Sequence, residues 1–441
     1  MNLERAQLAI VAALAAAAFV SIFATQLLLD IGLLVFFARL LSGRAPFPRT
    51  PLDGPTLAFC LWTLLSASFS NDPGHSHDSA KKLVLFLLFY LAVDTLASPN
   101  ARHRVLTAAL LGGLALASLT ILQYFLLGFD TLNGRPRGFL GHYMSASGLT
   151  MGVVILSAAR LAFARTGLGV HPRDGRLLAG LLGALVLVGA AQAAERPAAV
   201  LVTSLFVLGL AVTGGVLAIR DARWPDASTG TLLAALVLPL GSLALLLSQT
   251  RNAWLGALLG LATVAVLRAP RTLWLLAAAM LAVLVVRPAT VMNRLTLDDD
   301  SSRDRYYMWQ AGIDMVLDKP VFGQGPGMIL ATYPSYRWSE APNPRAPHLH
   351  DNALQIAAER GLPCLVFWLW WMAAAMADAW REARRGAASA VGALGVLVAI
   401  MVAGLFEYNF GDSEVLMFVL LVASLPYALR RQRTLAAGAP A

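Results

Sequence analysis

Charge is scarce in this chain. Only 13% of the residues are charged, about half the roughly 25% that a water-soluble domain carries, so a surface wetted on all sides is excluded. Cysteine is nearly absent: Cys60 and Cys364 both fall inside apolar segments, which argues against a disulfide framework or a cysteine metal site. Strand-type alternation is missing. So is any glycine-rich phosphate loop in a strand–helix setting, which leaves no place for ATP or another nucleotide. The net charge of +9 sits mostly in short connections between apolar runs, where membrane topology accounts for it without nucleic acid.

Apolar residues make up 58% of the 441 positions, and the mean hydropathy is +0.66. Runs of about 16 to 23 apolar residues recur along nearly the whole length, each able to cross a hydrocarbon core about 30 Å thick. Backbone buried in lipid must satisfy its own hydrogen bonds, so the runs read as helices. The expected fold is an all-α polytopic transmembrane bundle of about 12–14 helices, with fourteen the best count. The spans fall near 6–24, 26–42, 55–70, 83–97, 105–127, 143–164, 177–194, 197–218, 231–249, 251–267, 271–287, 361–380, 387–407 and 413–429. The first has no basic leader region and runs straight into the second, so it reads as a retained helix and not a cleaved signal.

Alternate connections are basic: Arg44 and Arg49, Arg102 and Arg104, Arg165 to Arg176, Arg220 and Arg223, Arg268 and Arg271, Arg381 to Arg385, and Arg430 to Arg433. The positive-inside rule places these, and both termini, on the cytoplasmic side. The other connections then face outward. Two of them are tight tips that carry arginine, Arg196 and Arg251, against the bias for that side. A charge at such a position marks a functional site by default. The organisation is three-part: membrane helices over 1–287, a periplasmic loop subdomain over 288–360, and C-terminal membrane helices with a short tail over 361–441.

That loop is too long for a simple connection. Asp298, Asp299 and Asp300 open it, and Ser301 or Ser302 is placed to cap a helix from about Arg303. Trp309, Ile313 and Val316 recur at helical spacing, which predicts an amphipathic helix lying against the membrane face, ended by Lys319-Pro320. Gly323, Gly325 and Gly327 follow without a βαβ context, so a flexible turn is favoured over a phosphate cradle. The aspartates suit a solvated acidic loop better than a Mg²⁺ or Ca²⁺ site. His348 and His350 come next. A helix starting at His350 runs into the span from Gly361 and brings the two onto one face, with His350 at the membrane mouth. Two histidines two apart do not share a helix face, which makes zinc a poor fit. One histidine near neutral pKa at such a mouth suits a general base. Arginine binds phosphate bidentately and stays charged, so the outward pair suits a diphosphate held without metal.

His350 with Leu354, Gln355, Glu359 and Gly361 resembles the His-Asn-x-x-Leu-Gln…Glu-x-Gly stretch of the bacterial O-antigen ligases and their polymerase relatives. The ligase form, His-(Asn/Ser/Gln)-x9-Gly-x-x-(Gly/Thr/Tyr), is kept at His350 and Gly361 and departs at Asp351 and Cys364. Arg251-Asn-Ala-Trp-Leu255 is similar to the family's Arg-x3-Leu element, and Arg196 stands where relatives carry another outward arginine. Arg305…Trp309 with Pro320, Gly323, Gly325 and Gly327, and Arg137-Gly-Phe…Gly141-His142, resemble further family segments.

The resemblance implies a metal-independent, inverting glycosyltransferase without cofactor. It moves a glycan from undecaprenyl diphosphate to lipid A–core in lipopolysaccharide synthesis. His350, Arg196 and Arg251 are its expected catalytic residues. Arg137, His142, Arg305, His348, Asp351 and Gln355 are its expected substrate contacts. An O-antigen polymerase and a protein O-glycosyltransferase share the same donor. A lipid-glycan transporter fits less well, because no repeated halves are visible and Asp30, Asp94 and Glu407 lie toward the ends of their spans.

Overall fold

The structure, a computed structural model, describes residues 3–43, 46–127, 134–163, 227–268 and 300–437, with 270, 273 and 277. Among these every regular element is helical. In chain order they are α1 (Leu3–Ala17), α2 (Ile22–Leu41), α3 (Asp53–Ser68), α4 (Pro73–Ala80), α5 (Leu87–Thr95), α6 (Pro99–Leu122), α7 (Tyr143–Ala162), α8 (Ala227–Leu247) and α9 (Arg251–Arg268). After the segment 269–299 come α10 (Asp300–Asp318), α11 (Ile329–Tyr336), α12 (Asn352–Arg384), α13 (Ala388–Ala403), α14 (Ser413–Ala423) and α15 (Leu425–Ala436).

Local chemistry sets several of these ends. Ser21 caps α2 by accepting from the Ala24 N–H, and proline opens α4 and α6, where its missing N–H costs nothing. Six of the described helices are long and apolar enough to cross a membrane. The expected span at 55–70 is the 16-residue α3. The span at 83–97 is divided by a 3₁₀ turn over Lys81–Phe86. The expected spans 177–194 and 197–218 lie outside the described residues, as does nearly all of 271–287.

The bundle core joins α6, α7, α8, α9 and α13, with α12 packed on α3 and α13. Its two ends differ in chemistry. At one end Arg39 and Arg431 pair with Asp94, Arg381 and Arg430 with Asp378, and Arg385 and Arg433 with Glu382. Asp378 and Glu382 are fully buried, so each needs these partners to remain charged there. Basic residues that the charge pattern assigns to one side thus do gather at one end. The far end of α12 holds the rest of the chemistry.

The segment before α12 builds a small core of its own from Met308, Ala311, Met315, Ile329, Tyr333, Ala346, Leu349 and Ala358. Met308, Ala311 and Met315 form the inner stripe of α10. Of the stripe expected against the membrane face, Ile313 is exposed, whereas Val316 packs against this small core and Trp309 lines a cavity. The capping expectation needs correction, because α10 is already helical at Asp300 and Ser302 lies in its first turn. Asp298 and Asp299 are outside the described residues, and of Asp300 only the backbone is described.

The glycine run is also not a loose turn. Backbone N–H groups of Gln324 and Gly325 donate to the carbonyls of Ala358 and Glu359, and Leu362 donates to Pro320. This clasp sits where α12 breaks at Gly361, whose φ is +82°. A Cβ there would lie 1.9 Å from the Val321 carbonyl oxygen, so only glycine fits.

Candidate active site

The site is built where residues 347–352 meet residues 404–412. Leu349 is fully buried, and its N–H donates to the Gln355 side chain (2.7 Å). Asp351 caps α12 by accepting from the Leu354 N–H (2.7 Å). Asn352 ties the two segments together. Its N–H donates to the Gly404 carbonyl at 2.7 Å, its side-chain amide donates to Asn409 Oδ1 at 2.7 Å, and its Oδ1 accepts from the Phe410 N–H at 3.0 Å.

His350 therefore does not occupy the first turn of α12. It precedes the cap with φ +52°, a left-handed conformation unusual for a side-chain-bearing residue. The expected helical face shared by His350 and Gly361 is absent, because the cap at Asp351 and the break at Gly361 interrupt it. The ring is placed instead by Glu407, whose Oε2 lies 2.9 Å from His350 Nδ1. An ionised carboxylate only accepts, so Nδ1 carries the proton and the neutral ring keeps its lone pair at Nε2.

His348 packs edge-on against His350, with ring centroids 4.2 Å apart, and its Nδ1 is 3.6 Å from Glu407 Oε1. The helical-face argument that set the two histidines apart fails, because neither is helical. His348, His350 and Glu407 present three possible ligand atoms within 4.8 Å of one another.

Burial alone would raise the Glu407 carboxyl. The hydrogen bond from His350 and electrostatic interactions with His350, His348 and Arg305 outweigh it and hold the group below the usual carboxylate range. Desolvation pushes His348 the other way, down to about 4; Glu407 opposes that fall, and His350, His142 and Arg305 add to it. His142, which caps α7 by accepting from the Met144 N–H, is lowered too. Burial is the main cause, with His350 and Arg135 adding to it and Glu407 opposing.

Beside this cluster lies a cavity of about 380 Å³ lined by Arg251, Ser302, Arg305, Trp309 and Phe406, among others. Arg251 opens α9 and reaches Ser302 Oγ at 3.5 Å. Arg305 Nε and Trp309 Nε1 are buried on its wall with no hydrogen-bond partner among the described residues. The cavity joins fixed cationic donors to the apolar surface of Leu255, Trp309 and Phe406, which suits an amphiphile with an anionic head.

Of the sequence candidates, His348, His350 and Arg305 come together here, with His142 in electrostatic reach and Arg251 across the Arg305 cavity. Arg137 donates from Nη1 to the Gly141 carbonyl at 3.4 Å. Gln355 is committed at both ends, to Leu349 and Glu359, and Asp351 to its cap. Arg196 lies outside the described residues. Glu407 and Asn352 were missed. The signal for Glu407 was a lone carboxylate at the outward end of an apolar run.

Apolar spanning helices with a polar, histidine-bearing site at one end define a multi-pass helical membrane protein. Residues 234–369 match the O-antigen ligase family model, a stretch that contains Arg251, Arg305, His348 and His350. No curated protein matches the chain.

Proposed function

We propose that this chain is an O-antigen ligase of the bacterial inner membrane, with its site on the periplasmic face and both termini in the cytoplasm. It transfers a glycan from undecaprenyl diphosphate to lipid A–core. The observation that carries this is the adjacency of a cationic, lipid-compatible cavity to a histidine whose Nδ1 is held by a buried carboxylate.

In this reading Arg251 and Arg305 hold the donor diphosphate, together with Arg196. His350 Nε2 takes the proton of the acceptor hydroxyl, whose oxygen attacks the anomeric carbon on the face opposite the diphosphate. The bond from that carbon to the diphosphate oxygen breaks with its electron pair, and undecaprenyl diphosphate leaves with inversion at the sugar. The arginines stabilise the charge that grows on the leaving group, usually the largest single catalytic contribution. As His350 becomes an imidazolium, Glu407 stabilises it. No step requires a metal ion.

The test uses purified protein in lipid nanodiscs with undecaprenyl-diphosphate-linked glycan. Lipid A–core, the glycan-lipid alone, or a pilin serves as acceptor. Product on lipid A–core is expected, lost in His350→Ala with donor binding kept, and unaffected by a chelator. Product only on glycan-lipid, or only on pilin, would reassign the chain to a polymerase or a protein glycosyltransferase. Strong inhibition by the chelator would turn the His348–His350–Glu407 cluster into a metal site.

A further inference from the structure

A second cavity, of about 290 Å³, is lined by His348. Its walls come from α3, the 3₁₀ turn after α4, α12 and the 404–412 segment, and they include Lys82, His348, Glu359, Arg360, Tyr408 and Asp412. Three consecutive residues connect the two cavities: Phe406 lines the first, Glu407 binds His350, and Tyr408 lines the second.

The chemistry of the second cavity is unlike that of the first. Two cations, Lys82 and Arg360, are balanced by two carboxylates, Glu359 and Asp412, so neither an anion nor a cation is favoured. Burial pushes Asp412 up to about 6, a hydrogen bond from Ser145 and the charge of Lys82 opposing, so it remains an acceptor at neutral pH.

Three polar atoms on these walls, His348 Nδ1, Glu359 Oε2 and Arg360 Nε, are buried without a hydrogen-bond partner among the described residues. His348 Nδ1 lies 3.6 Å from Glu407 Oε1, and Glu359 Oε2 forms an ion pair with Arg360 Nη2 at 3.2 Å. The walls thus set donors, Lys82 and Arg360, beside acceptors, Glu359 and Asp412. A guest that both donates and accepts at neighbouring points is a polyol, since each hydroxyl does both. The volume is at the small end of ligand sites, about 300–1,000 Å³, which suits a single sugar unit and not a polymer.

We infer that this second cavity is the acceptor subsite, holding the terminal neutral sugar of the acceptor glycan with its reactive hydroxyl toward the histidine pair. The inference rests on the proposed transfer reaction and adds where its second substrate sits. Donor and acceptor cavities are then joined through Phe406, Glu407 and Tyr408, next to the His348–His350–Glu407 cluster.

The experiment measures initial rates of the full chain in nanodiscs, varying lipid A–core at fixed donor and then donor at fixed lipid A–core. Glu359→Gln keeps the shape of the side chain and the oxygen that accepts from Gly327 and Gln355, altering only Oε2. Lys82→Met changes the opposite wall and keeps its apolar stem. Each variant is expected to raise the acceptor KM about tenfold, the loss of one charge-assisted hydrogen bond, with the donor KM within about twofold. Thermal unfolding of both variants is measured alongside. If wild type transfers glycan and both variants leave the acceptor KM unchanged, or raise the donor KM instead, the subsite is wrong and the reaction stands. If wild type transfers nothing to lipid A–core, the proposed reaction fails and the subsite with it.

Discussion

Replacing Glu407 with glutamine tests the site most directly, because it removes one charge and nearly no volume. In the native protein the carboxylate accepts from His350 Nδ1 at 2.9 Å and is almost fully buried. A glutamine can present its amide N–H₂ to Nδ1 instead, which moves the ring proton to Nε2 and removes the base. Even where its carbonyl still accepts, the imidazolium formed in the transition state loses its counter-charge. Opposite charges about 4 Å apart interact by about 4 kcal/mol at an effective dielectric constant of about 20, and each 1.36 kcal/mol is tenfold in rate. The transfer rate should therefore fall by about 10²–10³, with the donor KM unchanged, because Glu407 does not line the arginine cavity. Single-turnover transfer in nanodiscs supplies the rate. Nitrogen-15 NMR of labelled histidines, with His350 assigned from its alanine variant, reports the tautomer. A Glu407→Gln protein that transfers within about threefold of wild type, with His350 still protonated at Nδ1, would refute a positioning role for Glu407.

Three other expectations follow from the same geometry. Arg251→Lys and Arg196→Lys should each raise the donor KM about tenfold or more, since an ammonium does not replace a planar fork on a diphosphate; an unchanged donor titration would exclude that residue from the site. Gly361→Ala should destabilise the fold by at least about 3 kcal/mol, because the new methyl meets the Val321 carbonyl and the backbone has positive φ; its thermal midpoint in detergent checks this. His348 binds a proton near 6.5 when unfolded and near 4 when folded. The unfolded chain takes up more protons between those values, so stability falls as pH drops through 6.5 and levels off below about 4. Unfolding monitored by tryptophan fluorescence should show that slope in wild type and a flatter one in His348→Gln.

Much of this protein is legible in its sequence because lipid leaves few choices. A chain with little charge and repeated apolar runs must form helices, and its basic connections must gather on one side; Arg39, Arg102, Arg381, Arg385, Arg430, Arg431 and Arg433 do meet at one end of the bundle. Motif spacing likewise singled out His350, Arg251 and Arg305. Helical periodicity, by contrast, misled at residues 350–361. It assumed a helix through His350 and Gly361, whereas the Asp351 cap and a positive φ at each end of the stretch cut it off.

Residue types and their spacing along the chain thus determined the helical class and the two-ended distribution of charge, and singled out His350 as a candidate. Tertiary structure alone decided that histidine's partners. Glu407 lies 57 positions from His350, and Lys82 lies more than 300 from Asp412 on the wall they share. Period and motif describe neighbours along one element. These juxtapositions arise where α12, the 404–412 segment and the turn after α4 are packed to one end, and only the packed chain brings the residues together.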